Sequence, residues 1–143
     1  MRIVIISGYF DPITVGHLEY IKLSKKIAEG GKLLVIVNND EQAILKKGKS
    51  FISCDDRILI LNEIKNVDEV IKSIDKNRTV CDTLKYIYSV YKNNELWFVN
   101  GGDQFNDNIP EKPICEELGI ELMDGLGYKI RSSSWLTGLK SLK

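Results

Sequence analysis

His17, the only histidine in the chain, closes the string Gly8-Tyr9-Phe10-Asp11-Pro12-Ile13-Thr14-Val15-Gly16-His17. Gly8 follows a short apolar run, and His17 falls on the first turn of the next expected helix. A helix start offers free backbone N–H groups and the positive end of the helix dipole, which together attract anions. Gly16 leaves room for a phosphate to approach the backbone, and Gly8 permits a turn directly off a strand. A second polar string, Arg131-Ser132-Ser133-Ser134, precedes a last short helical stretch. Its hydroxyls, N–H groups and guanidinium suit another anion. Lys46, Lys47 and Lys49, followed by Arg57, add positive charge. No catalytic triad is evident, so the chemistry these residues suit is charge stabilisation around phosphate. Each feature alone has a simpler reading. Glycine turns serve packing, a lone histidine often caps a helix, Ser132 fits an N-cap, and the lysines fit a solvated loop.

The elements that would position these residues alternate. Residues 2–7, 32–38, 67–71, 95–99 and 120–123 are apolar, β-branched runs of strand length. Between them, helical spacing appears over 15–29, where Gly30-Gly31 closes the helix. It appears again after the expected N-cap Ser53, over 80–92 after the expected cap Thr79, and from about Pro113 to Leu118. The stretch Asn39–Ser50 reads as a polar, lysine-rich connection. Short buried strands joined by helical crossovers predict a five-stranded parallel sheet with helices on both faces. Ligands of such sheets lie beyond the carboxyl ends of the strands, where strand order reverses. The string ending in His17, and Asn100-Gly101-Gly102-Asp103 after the fourth strand, fall there. Asp75-Lys76-Asn77-Arg78-Thr79 forms a loop at the same edge. It fits an acceptor contact and a plain helix-entry loop equally well.

GYFDPITVGH resembles the G-x-F-D-x-x-H-x-G-H signature of the cytidylyltransferase-like nucleotidylyltransferases. That family includes glycerol-3-phosphate, ethanolamine-phosphate and choline-phosphate cytidylyltransferases, heptose-phosphate adenylyltransferase and the archaeal type of FAD synthase. Gly8, Phe10, Asp11, Gly16 and His17 match, and Thr14 replaces the first histidine. RSSS at 131–134 is similar to the family's Ser/Thr-rich string, Gly102-Asp103 to its G-G-D or G-D-D string, and Lys46-Lys47-Gly48-Lys49 to its lysine-bearing loop. The resemblance runs from residue 3 to about 137. It implies a Rossmann-like α/β domain over 1–143 with strand order 3-2-1-4-5. It also implies transfer of a nucleotidyl group (CMP, favoured over AMP) from CTP or ATP to a phosphorylated small molecule, with release of pyrophosphate. His17, Lys46 and Arg131 would take the catalytic roles. Gly8, Tyr9, Phe10, Asp11, Thr14, Gly16, Gly102, Asp103, Ser132, Ser133 and Ser134 would surround the nucleotide. Lys47, Lys49, Arg57 and Arg78 would face the acceptor. Mg2+ would arrive on the phosphates, with Asp11 or Asp103 as outer contacts, and the assembly would be a homodimer. Thr14 supports an alternative, a weak or inactive nucleotide-binding protein of the same fold. A threonine hydroxyl carries no charge, and losing one such phosphate contact commonly costs ~3 kcal/mol in rate.

Composition narrows the field further. At 143 residues the chain has the length of one domain. With 43% hydrophobic and 28% charged residues it has enough apolar surface for a core. Lys plus Arg and Asp plus Glu number 20 each, so no basic excess points to nucleic acid or a membrane surface. No apolar run has the ~20 residues of a membrane helix, and MRIVIISGYF reads as a strand, not a signal peptide. Three well-separated cysteines, Cys54, Cys81 and Cys115, fit idle thiols in a cytoplasmic protein. A flavodoxin-like or receiver domain shares the architecture, but the acidic pocket and lysine of a receiver are not evident.

Overall fold

Arg2–Gly8 forms the central strand β1, and its four apolar residues Ile3, Val4, Ile5 and Ile6 are all 0% exposed. Alternate side chains of a strand point to opposite faces, so burial of all four requires cover on both sides. The computed structural model, which describes residues 1–101 and 109–126, supplies that cover. Along the chain come α1 (Val15–Ile27), β2 (Lys32–Val37), α2 (Asp40–Lys47), α3 (Cys54–Asn62), β3 (Glu69–Lys72), α4 (Cys81–Tyr91), β4 (Glu95–Gly101), α5 (Lys112–Leu118) and β5 (Glu121–Leu126). The five strands form one parallel sheet of order β3-β2-β1-β4-β5, as the alternation predicts. Ile3 and Ile5 pack with Leu84 and Ile87 of α4 and Ile114 and Cys115 of α5. Val4 and Ile6 pack on the other face with Ile21 of α1 and Leu61 of α3. Strand order reverses between β2 and β4 on either side of β1, so the ends of these three strands frame the crevice expected to bind ligand.

Two local expectations need correction. The polar stretch 39–50 contains a helix, α2, whose buried residues are Gln42 and Ala43. Its apolar signal is weak because a polar side chain docks it. Gln42 Nε2 donates to the carbonyls of Asn77 (2.7 Å) and Thr79 (2.8 Å), while Oε1 accepts from Asn38 Nδ2 and Asn39 N, both at 3.0 Å. Asn39 caps the start, and Gly48, at φ +84°, ends the helix in the left-handed conformation. The cap of α4 is Asp75 in place of Thr79. Its buried carboxylate accepts from Asp82 N (2.8 Å), Thr83 N (2.9 Å) and Thr83 Oγ1 (2.6 Å). Tyr88 and Tyr91 of α4 pack against the core, and Tyr86 is exposed. Ser53 does cap α3, accepting from Asp56 N at 3.3 Å. No helix among the described residues is long and apolar enough to cross a membrane.

The turn entering β2 leaves no room for a side chain. A Cβ at Gly31 would lie 1.9 Å from the Arg2 carbonyl oxygen and 3.0 Å from that of Ala28. Both neighbours are backbone, so relief requires moving β1 or the end of α1. Gly31→Ala is expected to destabilise the fold by about 1–3 kcal/mol. A lowered urea midpoint with an unchanged m-value would show it; an unaltered midpoint would contradict this packing.

Candidate functional site

A cavity of about 550 Å³ opens at the carboxyl ends of β1, β2 and β4. Gly8, Tyr9, Phe10 and Asp11 line it from the turn after β1, and Thr14, Gly16 and His17 from the start of α1. Lys46 and Lys47 reach it from α2, and Arg78 from the loop before α4. These expected residues therefore meet in one place. Gly102, Asp103, Arg131, Ser132, Ser133 and Ser134 lie outside the described residues.

His17 occupies the third position of α1, and its ring orientation is fixed locally. Nδ1 accepts from the backbone N–H of Thr14, the N-cap residue, at 2.9 Å, and lies 3.1 Å from Thr14 Oγ1. An amide N–H can only donate, so Nδ1 must present its lone pair and the proton resides on Nε2. The Phe10 ring packs against the imidazole at a centroid distance of 5.0 Å. Phe10 itself is 2% exposed and adopts φ +52°, a left-handed conformation uncommon outside glycine. Burial of its ring holds that conformation. Burial likewise pushes the His17 pKa below its ordinary value, so the neutral imidazole prevails at neutral pH.

Two buried charges hold the surrounding loops, which corrects two expected roles. Arg57 is not available to an acceptor, because its side chain is 0% exposed. Nη1 donates to the carbonyls of Tyr9 (2.6 Å) and Asn38 (2.8 Å), Nε to that of Ile52 (2.8 Å), and Nη2 to Asp40 Oδ1 (2.9 Å). Asp11 is equally committed, so it does not turn to a metal-borne phosphate. Its carboxylate is 0% exposed and accepts from Phe51 N at 2.8 Å and Ile52 N at 2.7 Å. Burial alone would raise its pKa; the bonds from Phe51, Lys47 and Ile52 outweigh burial and hold it below the usual carboxylate range.

The lysines separate by function. Lys47 Nζ is held by Asp11, at 3.1 Å from Oδ2 and 3.0 Å from the carbonyl. Lys49 stands 4.8 Å over the Phe51 ring and is not among the residues that line the cavity. Lys46 stands 4.4 Å over the Tyr9 ring. Burial, Arg78 and Lys47 together lower its pKa. Arg78 lies near the Tyr9 hydroxyl, and its charge opposes the rise in the Tyr9 pKa caused by burial. A cluster of like charges around one aromatic ring is unfavourable by itself and is relieved by an anion.

Sequence reasoning missed several lining residues: Tyr20, Asn38, Val80, Pro110 and Glu111. Asn38 and Asn100 directly follow the apolar runs of β2 and β4, and that position was the available signal. Glu111 carried none. Among the described residues, no group of three or more His, Cys, Asp or Glu side chains is arranged to hold a metal ion.

The sequence profile of the cytidylyltransferase-like family matches residues 5–126, a stretch that contains the whole cavity lining. The chain belongs to that family. Among cytidylyltransferase-like proteins, it is 38% identical over 69 residues to the FAD synthase of Pyrococcus abyssi, a match covering 48% of this chain and 45% of that one. The chain thus spans about half the length of that relative. It is 31% identical over 97 residues to the glycerol-3-phosphate cytidylyltransferase of Bacillus subtilis, covering 68% of this chain and 74% of the relative. Among solved cytidylyltransferase-like folds, it resembles the lipopolysaccharide core biosynthesis protein of Thermoplasma volcanium. The TM-score is 0.67 at 28% identity, over 87% of this chain and 94% of that one.

Because His17 is the only imidazole of this cytidylyltransferase-like chain, its ring signals in a proton NMR titration are unambiguous. The midpoint is expected below 6.5, with ring nitrogen shifts of the Nε2–H tautomer. Adding a nucleoside triphosphate should raise the midpoint, since adjacent negative charge favours the protonated form. A midpoint at or above 6.5 in the free protein, or an Nδ1–H tautomer, would contradict the observed geometry.

Proposed function

We propose that the chain transfers a nucleotidyl group from CTP or ATP to a phosphorylated small molecule and releases pyrophosphate. The observation that carries this reading is the orientation of His17. With Nδ1 occupied by the Thr14 N–H, Nε2–H is the ring's remaining donor, at the start of α1 in the cavity that Lys46 and Arg78 also line. The acceptor's phosphate oxygen attacks the α-phosphorus, the bond from that phosphorus to the α–β bridging oxygen breaks, and pyrophosphate departs. A phosphate dianion is already nucleophilic, so the reaction needs no strong base. The protein's contribution is alignment and stabilisation of charge as it moves onto the leaving oxygens. His17 Nε2–H serves the α-phosphate, and Lys46 and Arg78 hold phosphate across the mouth. Mg2+ comes with the nucleotide, since Asp11 is committed to the loop. Arg131 and the serines 132–134 remain proposed contacts of the β- and γ-phosphates by resemblance alone.

Thr14, the departure from the family signature, sits where it steers the catalytic ring. Its N–H and hydroxyl both face His17 Nδ1, which favours an active enzyme over the inactive alternative. His17→Ala is expected to lower kcat for pyrophosphate release about 100-fold or more while changing nucleotide affinity by less than tenfold. The assay pairs CTP and ATP with sugar, polyol and amino-alcohol phosphates, and it also reads the base preference. Full activity in the variant would remove His17 from the mechanism. Absence of pyrophosphate with every pairing in the natural protein would favour the binder.

A further inference from the structure

Tyr9 holds the second position of the GYFDPITVGH string, which the family signature leaves open. Two cations that line the cavity meet at its side chain. Lys46 Nζ stands 4.4 Å from the centre of the ring, and Arg78 lies near the hydroxyl. Among the described residues, no carboxylate lies within ion-pair distance of either cation. Lys47, one residue along, differs, because Asp11 holds its Nζ at 3.1 Å and offsets its charge. Repulsion from Arg78 and Lys47 acts on the Lys46 ammonium, and a lysine stem is flexible, so an unheld Lys46 would turn outward to solvent. The platform under it is fixed. The Tyr9 carbonyl accepts from Arg57 Nη1 at 2.6 Å, and the next residue, Phe10, is buried at φ +52°.

We propose that Tyr9 is a positioning residue: its ring holds Lys46 beside Arg78 without neutralising it, so that the free protein presents two organised cations to the phosphates of the nucleotide. This inference deepens the transfer reading above and rests on it for the nucleotide as occupant. The chemistry of the contact selects a ring for this task. A ring face attracts a cation through its quadrupole and leaves its net charge in place. A carboxylate at position 9 would hold Lys46 and cancel that charge, whereas an aliphatic side chain would fill the space and hold nothing. Ordering Lys46 before the anion arrives also removes part of the cost of binding, since a rotamer-rich side chain need not be immobilised at that moment. The two backbone segments are tied as well, because Gln42 of α2 donates to the carbonyls of Asn77 and Thr79 on either side of Arg78.

The test is calorimetric titration with CTP, ATP and inorganic tripolyphosphate. Tyr9→Leu removes the ring and should weaken tripolyphosphate binding about five- to tenfold. Tyr9→Phe restores the ring face and should bind at least about threefold more tightly than the leucine variant. Lys46→Met removes the ammonium, and in that background Tyr9→Leu should cost less than about twofold more, because the ring has lost what it holds. Equal losses from Tyr9→Leu in both backgrounds would make the ring a structural element only and overturn the proposal, as would no loss at all. A proton NMR measurement needs no variant. The Lys46 Cε protons, next to an Nζ over the ring, should resonate upfield of the ordinary lysine position in the free protein. An ordinary position would also overturn the proposal. Pyrophosphate release with CTP or ATP and a phosphorylated acceptor reads the transfer function separately. Binding that depends on Tyr9 without any release overturns the transfer reading and leaves the positioning role standing. Release with binding indifferent to Tyr9 overturns this inference alone. A natural protein that binds none of the three ligands overturns it too.

Discussion

The Arg57 guanidinium joins three segments: the turn after β1, the end of β2 and the loop between α2 and α3. The first positions His17, the second presents Asn38, and the third is pinned to the first again by Asp11. A buried charge of this kind is tolerated because nearly every N–H finds an oxygen, and Asp40 supplies the opposite charge. Asp40 is itself held by Ser50 Oγ at 2.7 Å and Cys54 N at 3.0 Å. The Asp40 side chain is 45% exposed and partly solvated, so losing Asp40 costs less than breaking a fully buried pair, while losing Arg57 strands the carbonyls of Tyr9, Asn38 and Ile52. The geometry of the cavity thus depends on a buried guanidinium beneath it.

This dependence explains what the sequence conveyed and what it did not. Consecutive apolar residues in β1 and β2 announce strands buried on both faces, and every strand was found near its expected limits. Arg57 gave a different impression: an arginine following a lysine-rich stretch reads as a charge offered to an acceptor phosphate. Only the long-range contact with Tyr9 and Asn38 reveals its place, and no local pattern encodes that contact. The same holds for α2, where Gln42 replaces the apolar stripe by which helices are usually recognised. Asp75 caps α4 from seven residues upstream of Asp82, beyond the spacing at which caps are read. At the site, residues contributed by the β1 turn were legible because glycine, aspartate and histidine occur together there. Asn100 was legible by its place after the fourth apolar run, whereas Glu111 was not, because its meaning comes only from the cavity it lines.

Thr14 shows how one substitution is absorbed. The position is the N-cap of α1, so whatever residue stands there controls the ring three positions later through its backbone N–H. That bond is indifferent to the side chain. The direction in which His17 offers its proton is consequently a property of the helix start, preserved even though a potential cation is absent.

Gln42 and Asn39 tie α2 to the loop before α4 from both ends of a short span. Gln42 bonds the carbonyls of Asn77 and Thr79, and Asn39 Nδ2 bonds those of Ser73 (3.0 Å) and Asp75 (2.9 Å). Lys46 stands on the first of these segments and Arg78 on the second. Their backbone anchors are therefore clamped together by neutral amides, which added salt does not screen. High ionic strength will weaken the pull of this pair on an anion without spreading its anchors, so the mouth acts as a gauge of fixed width whose strength alone varies with the medium.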